Sequence, residues 1–151
     1  MTRDVDLSLF TGSGGEAEKV DALLDDYEGR IADARAFALK YRVLLIRTAS
    51  GVEVNVGLAG LPFEAEMIAR AADVEYEPDV VLRICSAEDL VVLKAFADRP
   101  QDRADLLGIA RRRGRALELA CLAERLRPLG EARDAPEILD GIESLRREFE
   151  R

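Results

Sequence analysis

A chain of 151 residues, 48% of them hydrophobic and 34% charged, is long enough for a packed core and too apolar to be disordered. Its 30 acidic against 22 basic residues leave a net charge of -8, which disfavours non-specific adhesion to nucleic acid or to anionic membrane. Histidine is absent, which excludes Ser/His/Asp and Cys/His nucleophiles, His-ligated zinc and histidine general bases, so any chemistry rests on carboxylates, Lys, Arg, Tyr, Ser and metal ions.

No apolar run approaches the length of a membrane span, and the N-terminus lacks the charged-then-apolar layout of a signal peptide. The expectation is a cytoplasmic protein with no membrane partner. Cys85 and Cys121 lie in apolar surroundings without metal-knuckle or redox spacing, and read as buried free thiols.

In chain order, Val5, Leu7 and Leu9 alternate with Asp4, Asp6 and Ser8, the period of a strand with one apolar and one polar face. The turn-rich TGSGG at 11–15 leads into a helical stripe of Val20, Leu23, Leu24 and Tyr27, interrupted by Gly29. RIADARAFALKY follows as a second helix with Ile31, Ala34, Phe37, Ala38 and Tyr41 on one side. The period then changes: RVLLIRT at 42–48 and VEVNVGL at 52–58 predict a hairpin about Ser50 and Gly51.

A helix starts at LPFEAEMIARAA, with Pro62 in its first turn, and DVVLRI at 79–84 reads as a further strand. After Ser86 the chain is helical: SAEDLVVLKAFA, PQDRADLLGIARRRG, ALELACLAERL and, past Pro136, EILDGIESLRREF. Ser86 and Asp89 fit a capping box at the first of these. The expected class is α+β, a small mixed sheet followed by a helical half, in a single domain whose sheet-bearing part spans 1–85 and whose helical part spans 86–151.

Asp4 and Asp6 project to one side of their strand, where two ionised carboxylates repel unless water or a cation compensates. A wet polar face is one reading. A site for Mg²⁺ or Mn²⁺, hard ions that prefer carboxylate oxygens on a rigid element, is the other, and Glu53 or Asn55 on the second hairpin strand offers a third oxygen. TGSGG lacks both phosphate-loop spacings, and Glu16 and Glu18 just after it would repel a phosphate while suiting the helix dipole, so it reads as a plain turn.

The run TRDVDLSLF, then RIADARAFALKYRVLLIRTASGVEVNVGLAGLPFE and SAEDLVVLKAFADRPQDRADLLGI, resembles the nucleotidyltransferase-fold proteins related to the abortive-infection toxin AbiEii, from Thr2 to about Leu126. The resemblance implies a polymerase-beta-like core in which Asp4 and Asp6 are metal ligands for Mg²⁺ or Mn²⁺ carrying a nucleoside triphosphate, with an RNA or protein hydroxyl as acceptor. It implies a third carboxylate at position 55, where this chain has Asn55. The family's D-x-x-x-x-K element falls on Asp89 and Lys94, and its downstream Arg and Asp on Arg99 with Asp102 or Asp105. Lys94 and Arg99 would then contact phosphate, and Asp89 or Asp105 would orient. For Lys94 the alternative is a salt bridge to a neighbouring acid such as Asp89 or Glu88.

Relatives carry a Gly-rich turn and helix upstream of the D-x-D strand, and this sequence starts inside the motif. Together with the neutral oxygen of Asn55, that departure implies an impaired enzyme or pseudoenzyme. The rival expectation is a non-catalytic interaction module, the remnant of a toxin-antitoxin pair that binds a cognate antitoxin protein, with an N-terminal edge strand that permits a homodimer. The cluster Arg111, Arg112, Arg113 and Arg115 reads either as a contact for RNA or an acidic partner, or as a solvated helix end.

Overall fold

The structure, a computed structural model, describes residues 4–134. The chain is α+β, with a mixed sheet in its first part and mostly helix after Ser86. It divides into two compact units between Ala69 and Arg70. The division falls ahead of a second strand pair.

In the first unit β1 (Asp4–Phe10) leads through the TGSGG turn into α1 (Glu16–Asp26), a two-residue β2 (Glu28–Gly29), α2 (Ala34–Tyr41), β3 (Val43–Arg47), β4 (Glu53–Ala59) and α3 (Pro62–Arg70), whose last residue, Arg70, already belongs to the second unit. The sheet order is β1-β4-β3-β2, with β1 parallel to β4 and the other pairs antiparallel. The expected hairpin is present: Val43–Arg47 faces Glu53–Ala59, and its turn closes with Gly51 at φ 86, a left-handed angle that glycine adopts without a Cβ penalty. Thr48 braces that turn by accepting from the backbone N–H of Val52 at 3.0 Å.

Alternation in β4 sends Val54, Val56 and Leu58 inward, where they meet Leu44 and Ile46 of β3, Val20 of α1, and Ala34 and Ala38 of α2. Small residues on α2 let its backbone come close to the sheet. Gly29 serves the same packing, since a Cβ there would sit 2.7 Å from that of Ala34. The predicted second helix begins only at Ala34 because Glu28 and Gly29 pair with β3 and the Arg30 N–H donates to the Leu45 carbonyl at 2.9 Å. Ile31 and Tyr41 are consequently exposed rather than part of an inward stripe, as is Tyr27, which lies past the end of α1.

The expected buried side of β1 needs a correction. Val5 is 45% and Leu7 52% exposed, because β1 is the sheet edge and only Leu9 packs against the cluster built on β3 and β4. Arg42 fixes the TGSGG turn beside it. In a left-handed conformation at φ 58, its guanidinium donates to the carbonyls of Leu58 at 2.9 Å and Gly12 at 3.3 Å, to the Thr11 hydroxyl at 3.2 Å, and to Glu16. Glu16 in turn accepts from the Gly14 N–H at 2.8 Å. One of the amides a phosphate loop would use is therefore already occupied, which agrees with the plain-turn reading.

The second unit opens with a hairpin of β5 (Ala72–Glu77) and β6 (Val80–Ile84), followed by α4 (Ala87–Ala97), α5 (Pro100–Arg113), a 3-10 turn (Gly114–Ala116) and α6 (Leu119–Arg133). β6 is as expected. β5 has no counterpart among the predicted elements, because ADVEYE alternates with acids and lacks the Val/Ile density of the other strands. Ser86 caps α4 by accepting from the Asp89 N–H at 3.0 Å. Val91, Val92 and Ala95 of α4 are buried, as are Leu106, Ile109 and Ala110 of α5 and Leu122, Leu126 and Leu129 of α6. Arg111, Arg112 and Arg113 are exposed in the last turn of α5, where positive charge complements the helix dipole. The helix predicted past Pro136 lies outside the described residues.

Candidate functional site

The parallel pairing of β1 with β4 sets Asp4 beside Glu53 and Asp6 beside Asn55. Because alternate residues of a strand share a face, these four side chains stand together on the face opposite the core. The Asn55 amide nitrogen lies between the two acids and donates to Asp4 Oδ2 at 2.9 Å and to Asp6 Oδ1 at 2.9 Å. A carboxylate only accepts and a guanidinium only donates, so the amide has one orientation available: nitrogen to the acids, oxygen to Arg30. Arg30 Nη2 donates to Asn55 Oδ1, and Arg30 Nη1 to Glu53 Oε2 at 2.7 Å.

The Arg30 side chain is 15% exposed, and its Nε is buried with no hydrogen-bond partner. Glu53 also accepts from Arg47 Nη2 at 3.1 Å. Hydrogen bonds from Arg47 and Arg30 hold the Glu53 carboxyl below the usual range. The face therefore carries an acid pair, an amide that bridges it, and a guanidinium that holds the amide from behind.

The acid pair tests the metal expectation. Both carboxylates reach one point, the position of the amide nitrogen, which suits a single hard divalent cation in place of that N–H donor. Among the described residues no group of three or more His, Cys, Asp or Glu side chains is disposed to hold a metal ion. As the face stands, the two carboxylates are its metal ligands, and the Asn55 amide, with its N–H₂ turned to them and its oxygen on Arg30, adds none until it turns over.

The remaining predicted residues belong to the second unit and are paired within it. Lys94 Nζ donates to Asp105 Oδ2 at 2.6 Å and to Asp102 Oδ1 at 3.4 Å. Its salt bridge comes from α5, and not from Asp89 or Glu88 of its own helix. Burial pushes the Lys94 ammonium down, and the carboxylates of Asp105 and Asp102 more than offset that, so its pKa lies above the usual value. Arg99 chelates Asp102 through Nε at 2.6 Å and Nη2 at 3.0 Å, and hydrogen bonding from Arg99 holds Asp102 below its usual pKa.

Asp89 is fully buried. Its Oδ1 accepts from Arg70 Nη2 at 2.8 Å and Arg125 Nη1 at 2.9 Å, and its Oδ2 from the Ser86 hydroxyl at 3.0 Å. A carboxylate with that shell is an internal anchor of the second unit, closed to solvent.

Sequence reasoning missed Arg30, Arg70 and Arg125. Arg30 follows the break at Gly29, in a segment read as helix; the other two meet Asp89 only through tertiary packing. No family model matches the chain, and no curated protein matches it. No helix among the described residues is long and apolar enough to cross a membrane.

Proposed function

We propose that this chain is a cytoplasmic nucleotidyltransferase-fold protein of the AbiEii-related class, in which Asp4 and Asp6 hold one Mg²⁺ or Mn²⁺ with a nucleoside triphosphate. In this reading, transfer to an RNA or protein hydroxyl is impaired. The observation that carries it is the convergence of both carboxylates on the Asn55 amide. Held by Asp4 and Asp6, such an ion would offset charge on the triphosphate and lower the pKa of an acceptor hydroxyl. Asn55 supplies no third negative oxygen, so the ion is weakly held, and impairment follows from that deficit. Lys94 and Arg99, the phosphate contacts that the resemblance implies, belong to the second unit. Both are paired there with carboxylates, Lys94 with Asp105 and Arg99 with Asp102.

A second reading, a non-catalytic module that binds a cognate antitoxin protein or a second copy of itself, draws on the exposed apolar side chains Val5 and Leu7 at the open sheet edge. Titration calorimetry separates the two. The wild-type protein is expected to give saturable heat with Mn²⁺ and then with at least one of the four nucleoside triphosphates, and the Asp4→Asn/Asp6→Asn variant to give neither. Absence of heat from Mn²⁺ and from every triphosphate leaves the interaction module as the function.

A further inference from the structure

We infer that Arg30 is a positioning residue and resident cation that sets the metal affinity of the Asp4–Asp6 face, and that the substitution at position 55 is only half of what separates this site from a tight one. The inference rests on reading the acid pair as a cation site. Three observations carry it. Arg30 takes the Asn55 carbonyl oxygen, the one neutral oxygen that the residue could offer a metal, and so fixes the amide with its N–H₂ group toward the acids. Arg30 also takes one oxygen of Glu53, the third carboxylate on the same face. Its guanidinium is held in place by the backbone pairing of Arg30 with Leu45 and is largely shielded, so its positive charge is a permanent neighbour of the acid pair and not a mobile surface charge.

A divalent ion entering this face must turn the Asn55 amide over against Arg30 and must bind beside a fixed positive charge. Both requirements weaken it. With a neutral residue at position 30, Asn55 is free to present its oxygen beside Asp4 and Asp6, and Glu53 is left with Arg47 alone. A carboxylate introduced at position 55 while Arg30 remains pairs with the guanidinium instead of completing a metal site. Restoring the acid alone therefore restores little.

The test is Mn²⁺ binding, followed by calorimetry and by the electron paramagnetic resonance of free Mn²⁺, in the wild type, Arg30→Gln, Arg30→Lys, Asn55→Asp and Arg30→Gln/Asn55→Asp. Arg30→Gln is expected to tighten Mn²⁺ binding by about tenfold or more, from removal of one nearby positive charge. Arg30→Lys keeps the charge and is expected to change affinity by no more than about threefold. Asn55→Asp alone is expected to gain less than the double variant does over Arg30→Gln. If Arg30→Gln does not fold, Arg30→Met, which keeps the packed aliphatic stem, takes its place. A folded neutral variant that binds Mn²⁺ no tighter than the wild type overturns the inference, as does Asn55→Asp reaching the affinity of the double variant alone. Failure of the two proposals is distinguishable: a wild type without measurable Mn²⁺ binding beside an Arg30→Gln that binds counts against the nucleotide-transfer reading and for the role of Arg30.

Discussion

Replacing Asp89 with alanine is expected to lower the stability of the helical unit by about 3 kcal/mol, the lower end of what breaking a buried ion pair costs. Asp89 is 0% exposed and joins three parts of the chain: Arg70 at the end of α3, Ser86 at the cap of α4, and Arg125 on α6. Removing it leaves two guanidinium groups without their shared acceptor. Their side chains are 34% and 25% exposed, so water recovers part of the loss and keeps it from the upper end of the range. Thermal unfolding followed by circular dichroism at neutral pH reads the effect.

The same residue gives the loss a pH signature. Burial pushes the Asp89 carboxyl up, but hydrogen bonds from Arg70 and Ser86 and the charges of Arg70 and Arg125 outweigh it, so the folded pKa lies below the usual value. A lowered folded pKa contributes stability above the unfolded value of about 3.9, and that stability is lost as pH falls through the folded value. Asp102, lowered by Arg99, acts with the same sign. The gap in stability between wild type and Asp89→Ala is therefore expected to narrow below about pH 4, and a gap that widens there contradicts the anchoring role.

Leu44→Ala is expected to cost the sheet unit about 3 kcal/mol, and with it the arrangement of the Asp4–Asp6 face. Leu44 is completely buried on β3, opposite Val56 of β4, in the cluster that includes Val20, Ala34 and Ala38. Its neighbours on α2 are alanines, whose short side chains cannot swing in to fill the space, so much of the cavity persists. Native-state hydrogen exchange of the β3 and β4 amides is expected to speed up by about a hundredfold, whereas a change of only a few-fold shows that the site collapses more completely than the packing implies.

Parts of this architecture were legible because their signals are local. The β3–β4 hairpin announces itself through dense Val, Leu and Ile around Ser50-Gly51, and Ser86 marks the start of α4 by a side-chain cap. What required three dimensions was less accessible. That β1 runs parallel to β4 at the sheet edge follows from the crossover through α1 and α2, and no pattern within Asp4–Phe10 reveals it. β2 is two residues long, too short for any period, yet it places Arg30. The partners of Lys94 lie on the next helix and two of those of Asp89 on distant ones, so spacing within α4 anticipates a salt bridge for the lysine without fixing its acids, and does not reveal the buried shell of Asp89. Strand alternation alone puts Asp4 and Asp6 on one face with Glu53 or Asn55 as a third oxygen, and the family resemblance singles out Asn55; their hydrogen-bonded contact is a product of the β1–β4 register.

The most direct measurement of the central claim is paramagnetic broadening in the nuclear magnetic resonance spectrum of the wild-type protein at substoichiometric Mn²⁺. The account predicts that the side-chain amide of Asn55 and the backbone resonances of Asp4 and Asp6 broaden first, with Arg30 next. Broadening that begins instead at other carboxylates, such as Asp73 and Glu75 on the exposed hairpin, with Asn55 unaffected, contradicts it.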